Sequence, residues 1–207
     1  MTNQLIQAVQ QADSSEGLLN AVRALAAAGS QEAIPTLITV LGYNNPGAAV
    51  SAVDGLIQIG EPAVQPLLEQ LNGYNYGARA WAVRALAGIG DPRGLDILLD
   101  AAANDFALSV RRAAAKGLGT ICWELMPSEQ IAEAQESTSK TLLQASQDPE
   151  WVVRYAAVGG LQALATAAVQ PNWLSAVLTR LDEIVDRDET SSVRARAWVA
   201  KQKLLPG

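Results

Sequence analysis

Six stretches of this chain share one pattern, at 17–25, 48–56, 78–86, 110–118, 153–161 and 193–201. Their fifth residue is always alanine (Ala21, Ala52, Ala82, Ala114, Ala157, Ala197), and their eighth is alanine or glycine (Ala24, Gly55, Ala85, Gly117, Gly160, Ala200). The ninth is leucine in five of them (Leu25, Leu56, Leu86, Leu118, Leu161). Self-similarity at a period of about 30 residues is the mark of stacked helical repeats. On a helix, positions five, eight and nine adjoin on one stripe. Small residues at five and eight admit a neighbouring helix at close range, while leucine contributes about 1.5–3 kcal/mol when fully buried. Such a chain works by presenting an extended surface.

A second helix is expected after each of the first three copies, over 31–41, 62–71 and 93–103. Gly29, Gly60 and Gly90 fall four residues past the anchoring leucine, where a helix ends on a left-handed residue. Ser30, Glu61-Pro62 and Asp91-Pro92 restart it, and proline suits a first helical turn. No run alternates with period two, so no strand is expected. The anchors stand 31 (25 to 56), 30 (56 to 86), 32 (86 to 118), 43 (118 to 161) and 40 (161 to 201) residues apart. Cys122 occupies the place of the fourth glycine stop, and 128–147 reads as an elongated or doubled second helix. The fifth second helix is expected over 173–186, and one helix remains after Val193. The expected fold is all-α, an α-solenoid of HEAT-like helix pairs with about five and a half repeats, forming one domain over 1–207.

Composition bounds the chemistry. The chain has no histidine and one cysteine, which excludes the usual zinc sites and the Ser-His-Asp and Cys-His nucleophile systems. The glycines of 88–94 fall at a helix–helix turn without the strand and lysine of a phosphate loop. A net charge of −6 argues against nucleic-acid binding. No apolar run of 18 residues and no signal-peptide pattern is present, so no membrane insertion is expected, and a reducing, intracellular compartment is. No metal site and no catalytic acid or base can be assigned. Catalysis must rest on carboxylates, arginines, tyrosines and shape, or on a nucleophile from a partner.

Several residues depart from the repeat background. Position two is arginine in four copies (Arg79, Arg111, Arg154, Arg194), suited either to pairing with Asp105, Asp148 or Asp188 of an adjacent repeat or to clamping a ligand carboxylate. Arg112 falls outside that pattern. Trp81 stands where the other copies carry small or polar residues or an arginine, either filling a gap or projecting into a pocket, with Tyr74, Tyr76 and Arg79 just before it. Aromatic rings beside an arginine suit a large, planar, acidic ligand. Asp54 interrupts a helix face and could bond a cationic ring nitrogen, although a solvated position explains it as well. Cys122 reads as a structural thiol, and Trp151, Trp173 and Trp198 as packing or interface residues. Either end, through Leu5, Ile6 and Val9 or through Trp198, Val199, Leu204 and Leu205, offers apolar surface to a partner.

The stretches 78–92 and 148–157 resemble the phycobilisome-lyase subset of HEAT-like repeats, and 74–119, with Asn104-Asp105-Phe106-Ala107-Leu108-Ser109-Val110-Arg111-Arg112, resembles the smaller (F-type, beta) subunits of heterodimeric phycocyanobilin lyases. The resemblance spans nearly the whole chain. It implies a larger E-type HEAT-repeat partner and the attachment of phycocyanobilin, as substrate, to a cysteine of the apo-phycocyanin alpha chain through a thioether. No resident cofactor is implied, and the location is cytoplasmic beside the phycobilisome. By the same resemblance Arg79, Arg111 or Arg112 would hold the bilin propionates, Tyr74, Tyr76 and Trp81 would shape the tetrapyrrole, and Asp54 or a partner carboxylate would bond its pyrrole nitrogens. A related isomerising branch carries a His-Cys pair in the region of 74–79, where this chain has Asn75 and Tyr76, so isomerisation is not expected. A different class, a non-catalytic adaptor for phycobiliprotein assembly or degradation, fits the same fold.

Overall fold

The computed structural model describes residues 1–71, 76–169 and 171–205, Tyr76 by its backbone alone. Among these residues there are twelve α-helices and no strand. They pack as two compact units, Met1–Gly94 and Leu95–Gly207.

The first unit holds α1 (Thr2–Gln10), α2 (Ser15–Ala27), α3 (Ile34–Val40), α4 (Pro46–Ile59), α5 (Val64–Gln70) and α6 (Tyr76–Ile89). The copies of the pattern form α2, α4 and α6, which lie side by side, while α3 packs on α5 behind them. Gly29, Gly60 and Gly90 end these helices at positive φ (59°, 76° and 74°). An L side chain would be strained there, which is why the stop is glycine. Each second helix is entered through a short 3₁₀ turn, Gln31–Ala33 or Glu61–Ala63 here, so α3 and α5 are shorter than the spacing suggests. Asn45 caps α4 by accepting from the Ala48 N–H (3.0 Å) and donates Nδ2 to the carbonyl and hydroxyl of Ser15, tying two repeats together.

The second unit holds α7 (Leu95–Asn104), α8 (Leu108–Leu118), α9 (Ser128–Ala145), α10 (Trp151–Ala167), α11 (Leu174–Arg187) and α12 (Ser191–Leu204). Here α8, α10 and α12 are the pattern helices, backed by α7, α9 and α11. Cys122 has φ −79°, so no left-handed stop exists in this repeat. The chain instead crosses a 3₁₀ turn, Trp123–Leu125, and Pro127 precedes the long polar α9.

The anchoring leucines Leu25, Leu56, Leu86, Leu118 and Leu161 are all sealed in the core. Their sixth counterpart, Lys201, is half-buried and pairs with Asp182 of α11. Position eight faces the preceding repeat. A Cβ on Gly55 would lie 2.7 Å from that of Ala26, and one on Gly160 would lie 2.6 Å from the Ala115 carbonyl oxygen. In the first copy only α1 precedes α2, and Ala24 is left exposed.

Candidate functional site

The position-two arginines build a ladder whose geometry repeats. Arg111 of α8 gives Nε and Nη2 to Asp148 (2.7 and 3.1 Å) and Nη1 to the carbonyls of Asp105 and Phe106. Arg154 of α10 does the same with Asp188 (2.8 and 3.1 Å) and the carbonyls of Asp148 and Pro149. Each aspartate precedes position one of its own copy by five residues and caps the backbone N–H two residues on: Asp105 to Ala107, Asp148 to Glu150, Asp188 to Thr190. One guanidinium therefore closes a helix-start loop and docks the next one. The pairing reading of these arginines holds for Arg111 and Arg154.

The ladder makes stability depend on acid. Burial pushes the carboxyls of Asp148 and Asp188 up, but hydrogen bonds from Arg111 and Arg154 and from backbone N–H groups bring both below the ordinary value. Such a carboxylate contributes fully above its unfolded pKa, about 3.9, and the contribution is lost as pH falls through the lower folded value. The stability gap between the native chain and Asp188→Asn is therefore expected to be wide at pH 7 and to close below about pH 4. Thermal melts from pH 7 to 3 measure it, and a gap of constant width would refute the assignment.

The remaining candidates divide between the units. Tyr74 lies outside the described residues, and Tyr76 opens α6. Trp81 is half-buried on α6, and the guanidinium carbon of Arg84 stands 5.6 Å from its ring centroid, a cation–π contact across one helical turn. Arg79, also half-buried, is two residues away and so points to another side of the helix. The cation that shares the face of Trp81 is Arg84, which the sequence reading missed, although the i, i+3 spacing carried the signal. Asp54 is exposed on α4, in a shallow groove with Arg23, Ser51 and Gln58, and has no hydrogen bond or ion pair among the described residues.

In the second unit, Arg111 has four of its five N–H donors engaged by Asp148, Asp105 and Phe106. Arg112 is exposed and unpaired among the described residues. It continues a stripe of α8, Leu108–Arg112–Lys116, whose members are all exposed. The adjacent α10 presents Trp151 (46% exposed) and Tyr155 (42%) one turn apart. Of the two readings of Trp151, packing or an interface, its exposure argues against burial in the core of this chain and leaves the interface reading open. The pair of stripes offers flat apolar rings and cations to an acidic, planar ligand. Among the described residues no cluster of His, Cys, Asp and Glu could hold a metal ion, and no helix is long and apolar enough to cross a membrane.

Stacked helix pairs, glycine stops and an arginine–aspartate ladder define the HEAT-repeat class, and the sequence matches HEAT repeats over 2–73 and 64–132, with a further match over 140–168. It is 58% identical over 205 residues to the phycocyanobilin lyase subunit beta of Pseudanabaena tenuis, covering 98% of this chain and 73% of that one. It is 62% identical over 164 residues to the phycocyanin alpha phycocyanobilin lyase CpcF of Synechocystis sp., covering 79% and 77%. The structure superposes on the complex of CpcE and CpcF of phycocyanin lyase from Nostoc sp. PCC7120 with TM-score 0.76 and 51% identity, covering 83% of this chain and 99% of that one. The chain belongs to the family of phycocyanobilin lyase beta subunits.

Proposed function

We propose that this chain is the smaller subunit of a heterodimeric bilin lyase, paired with a larger HEAT-repeat subunit, which attaches phycocyanobilin to a cysteine of the phycocyanin alpha chain. The observation that carries the reading is the 51% identity and TM-score of 0.76 to the complex of CpcE and CpcF. The thiol comes from the acceptor, so a chain without histidine can serve. Its own residues position the substrate. In the first unit Arg79 or Arg84 holds a propionate, Tyr74, Tyr76 and Trp81 shape the tetrapyrrole, and Asp54 bonds its ring nitrogens; in the second unit Arg112 is a separate candidate for holding a propionate. Arg111 contributes little, since its fork is committed to Asp148. Beside Arg112 in the second unit, the exposed rings of Trp151 and Tyr155 offer a surface of their own on which a conjugated system can stack. Holding the C3 side chain before the incoming thiol gains rate from entropy already spent on binding. The reaction places the chain in the cytoplasm, beside phycobilisome assembly.

The test is co-expression of the chain, the larger subunit, a bilin source and apo-phycocyanin alpha chain, read as zinc-enhanced fluorescence of the denatured acceptor. Covalent bilin that disappears when this chain is omitted supports the reading. Acceptor that gains solubility without covalent bilin supports a non-catalytic adaptor instead. Trp81→Ala and Arg112→Ala are each expected to slow attachment by about tenfold, the loss of one contact of roughly 1.4 kcal/mol. Unchanged rates in folded variants would remove these residues from the site.

A further inference from the structure

Among the described residues the rung at Arg194 is incomplete. Arg194 of α12 gives Nη1 to the carbonyls of Asp188 (2.7 Å) and Glu189 (3.2 Å), as Arg111 and Arg154 do with their own loops. In those two, Nε and Nη2 grip the aspartate of the following repeat. Among the described residues no carboxylate meets Nε or Nη2 of Arg194. The same face of α12 is open at position six. Val22, Val53, Val83, Ala115 and Val158 are buried there, whereas Trp198 is 55% exposed. Leu205, further along that face, is 41% exposed.

We propose that this face of α12 receives the start of a helix from the larger partner subunit, whose aspartate or glutamate completes the rung on Nε and Nη2 of Arg194 while its helix covers Trp198. The proposal rests on the reading of the chain as one subunit of a heterodimer. The two completed rungs define the chemistry of the occupant: a carboxylate just before a helix, able to cap that helix and accept a two-pronged guanidinium. A second copy of this chain does not supply it. Five residues before position one of its first repeat stands Ala12, the neighbouring Asp13 is one residue out of register, and the cap of α2 is Ser14. Its next repeat carries the neutral Asn45 as cap, already bonded to Ser15.

Two measurements on the purified full chain test the idea. The first is hydrogen exchange across 191–205, which needs no variant; strong protection on adding the larger subunit is expected. The second is heterodimer affinity. Arg194→Gln and Trp198→Ala are each expected to weaken it at least tenfold, and Arg194→Lys nearly as much, because an ammonium cannot reproduce the fork. Circular dichroism shows whether α12 persists in each variant. An intact heterodimer with 191–205 unprotected, or with its affinity unchanged by Arg194→Gln, overturns the proposal. Protection that appears with rising concentration of this chain alone also overturns it, by assigning the face to a second copy. If the native chain does not bind the larger subunit at all, the reading of a heterodimer falls first.

Discussion

Arg154→Ala is expected to destabilise the chain by about 3–5 kcal/mol, the cost of removing one partner from a buried ion pair. The side chain of Arg154 is 9% exposed and that of Asp188 is 5%, so the abandoned carboxylate cannot reach water freely. Two further groups, the carbonyls of Asp148 and Pro149, lose their donors with the same substitution. In melting temperature this amounts to a drop of roughly 10 °C for a chain of this size. Replacing both partners, Arg154→Met with Asp188→Leu, is expected to recover much of the loss, since a well-packed apolar pair can match a buried ionic one. Chemical denaturation of the three proteins measures these differences. A change below about 1 kcal/mol for Arg154→Ala would mean that the rung is ornamental, at the level of a surface pair.

Adjacent glycines on α10 should respond with opposite sign. At Gly160 an added Cβ would stand 2.6 Å from the Ala115 carbonyl oxygen, and one on Gly119 would stand 2.6 Å from the Gly160 Cα. Backbone meets backbone at this crossing of α8 and α10, so neither helix can yield by turning a side chain. Gly160→Ala is expected to cost about 2–3 kcal/mol, and Gly160→Val more, by overpacking. At Gly159 the nearest atom to an added Cβ is Nη2 of Arg196 at 3.4 Å, an ordinary contact. Gly159→Ala should therefore gain about 0.5–1 kcal/mol, the usual preference of a helix interior for alanine. Equal effects at the two positions would contradict the packing described for α8 and α10.

Most of the repeat architecture was legible because its physics is local and periodic. Alanine or glycine at five and eight, leucine at nine and a glycine four residues later specify a helix, its buried stripe and its stop without reference to anything distant. The helical character of the stretch after the fourth copy was equally readable, since Thr138, Leu142 and Ala145 are buried at helical spacing, and of the elongated and doubled forms the structure has the single long α9. The rungs were half legible: arginine at position two and aspartate in the breaks suggested pairing, but the double use of each guanidinium, for its own loop and the next, depends on three-dimensional spacing. The candidate site was the least legible part. Trp151 and Trp173 look alike in sequence, yet one is 46% exposed and the other 9%. Which side of a repeat faces solvent is decided only once its neighbours are in place. The partnership of Trp81 with Arg84 escaped notice because position seven carries a cation in several copies and looked like background.

The most direct test of the chain as a lyase subunit is a titration in a purified system. The chain is added to a fixed amount of the larger subunit, with excess phycocyanobilin and apo-phycocyanin alpha chain, and the initial rate of covalent attachment is recorded. The expected result is a rate that rises to a plateau at one chain per larger subunit, with many acceptor molecules modified per heterodimer. A full rate without this chain, or a yield that never exceeds one modified acceptor per added chain, would contradict it.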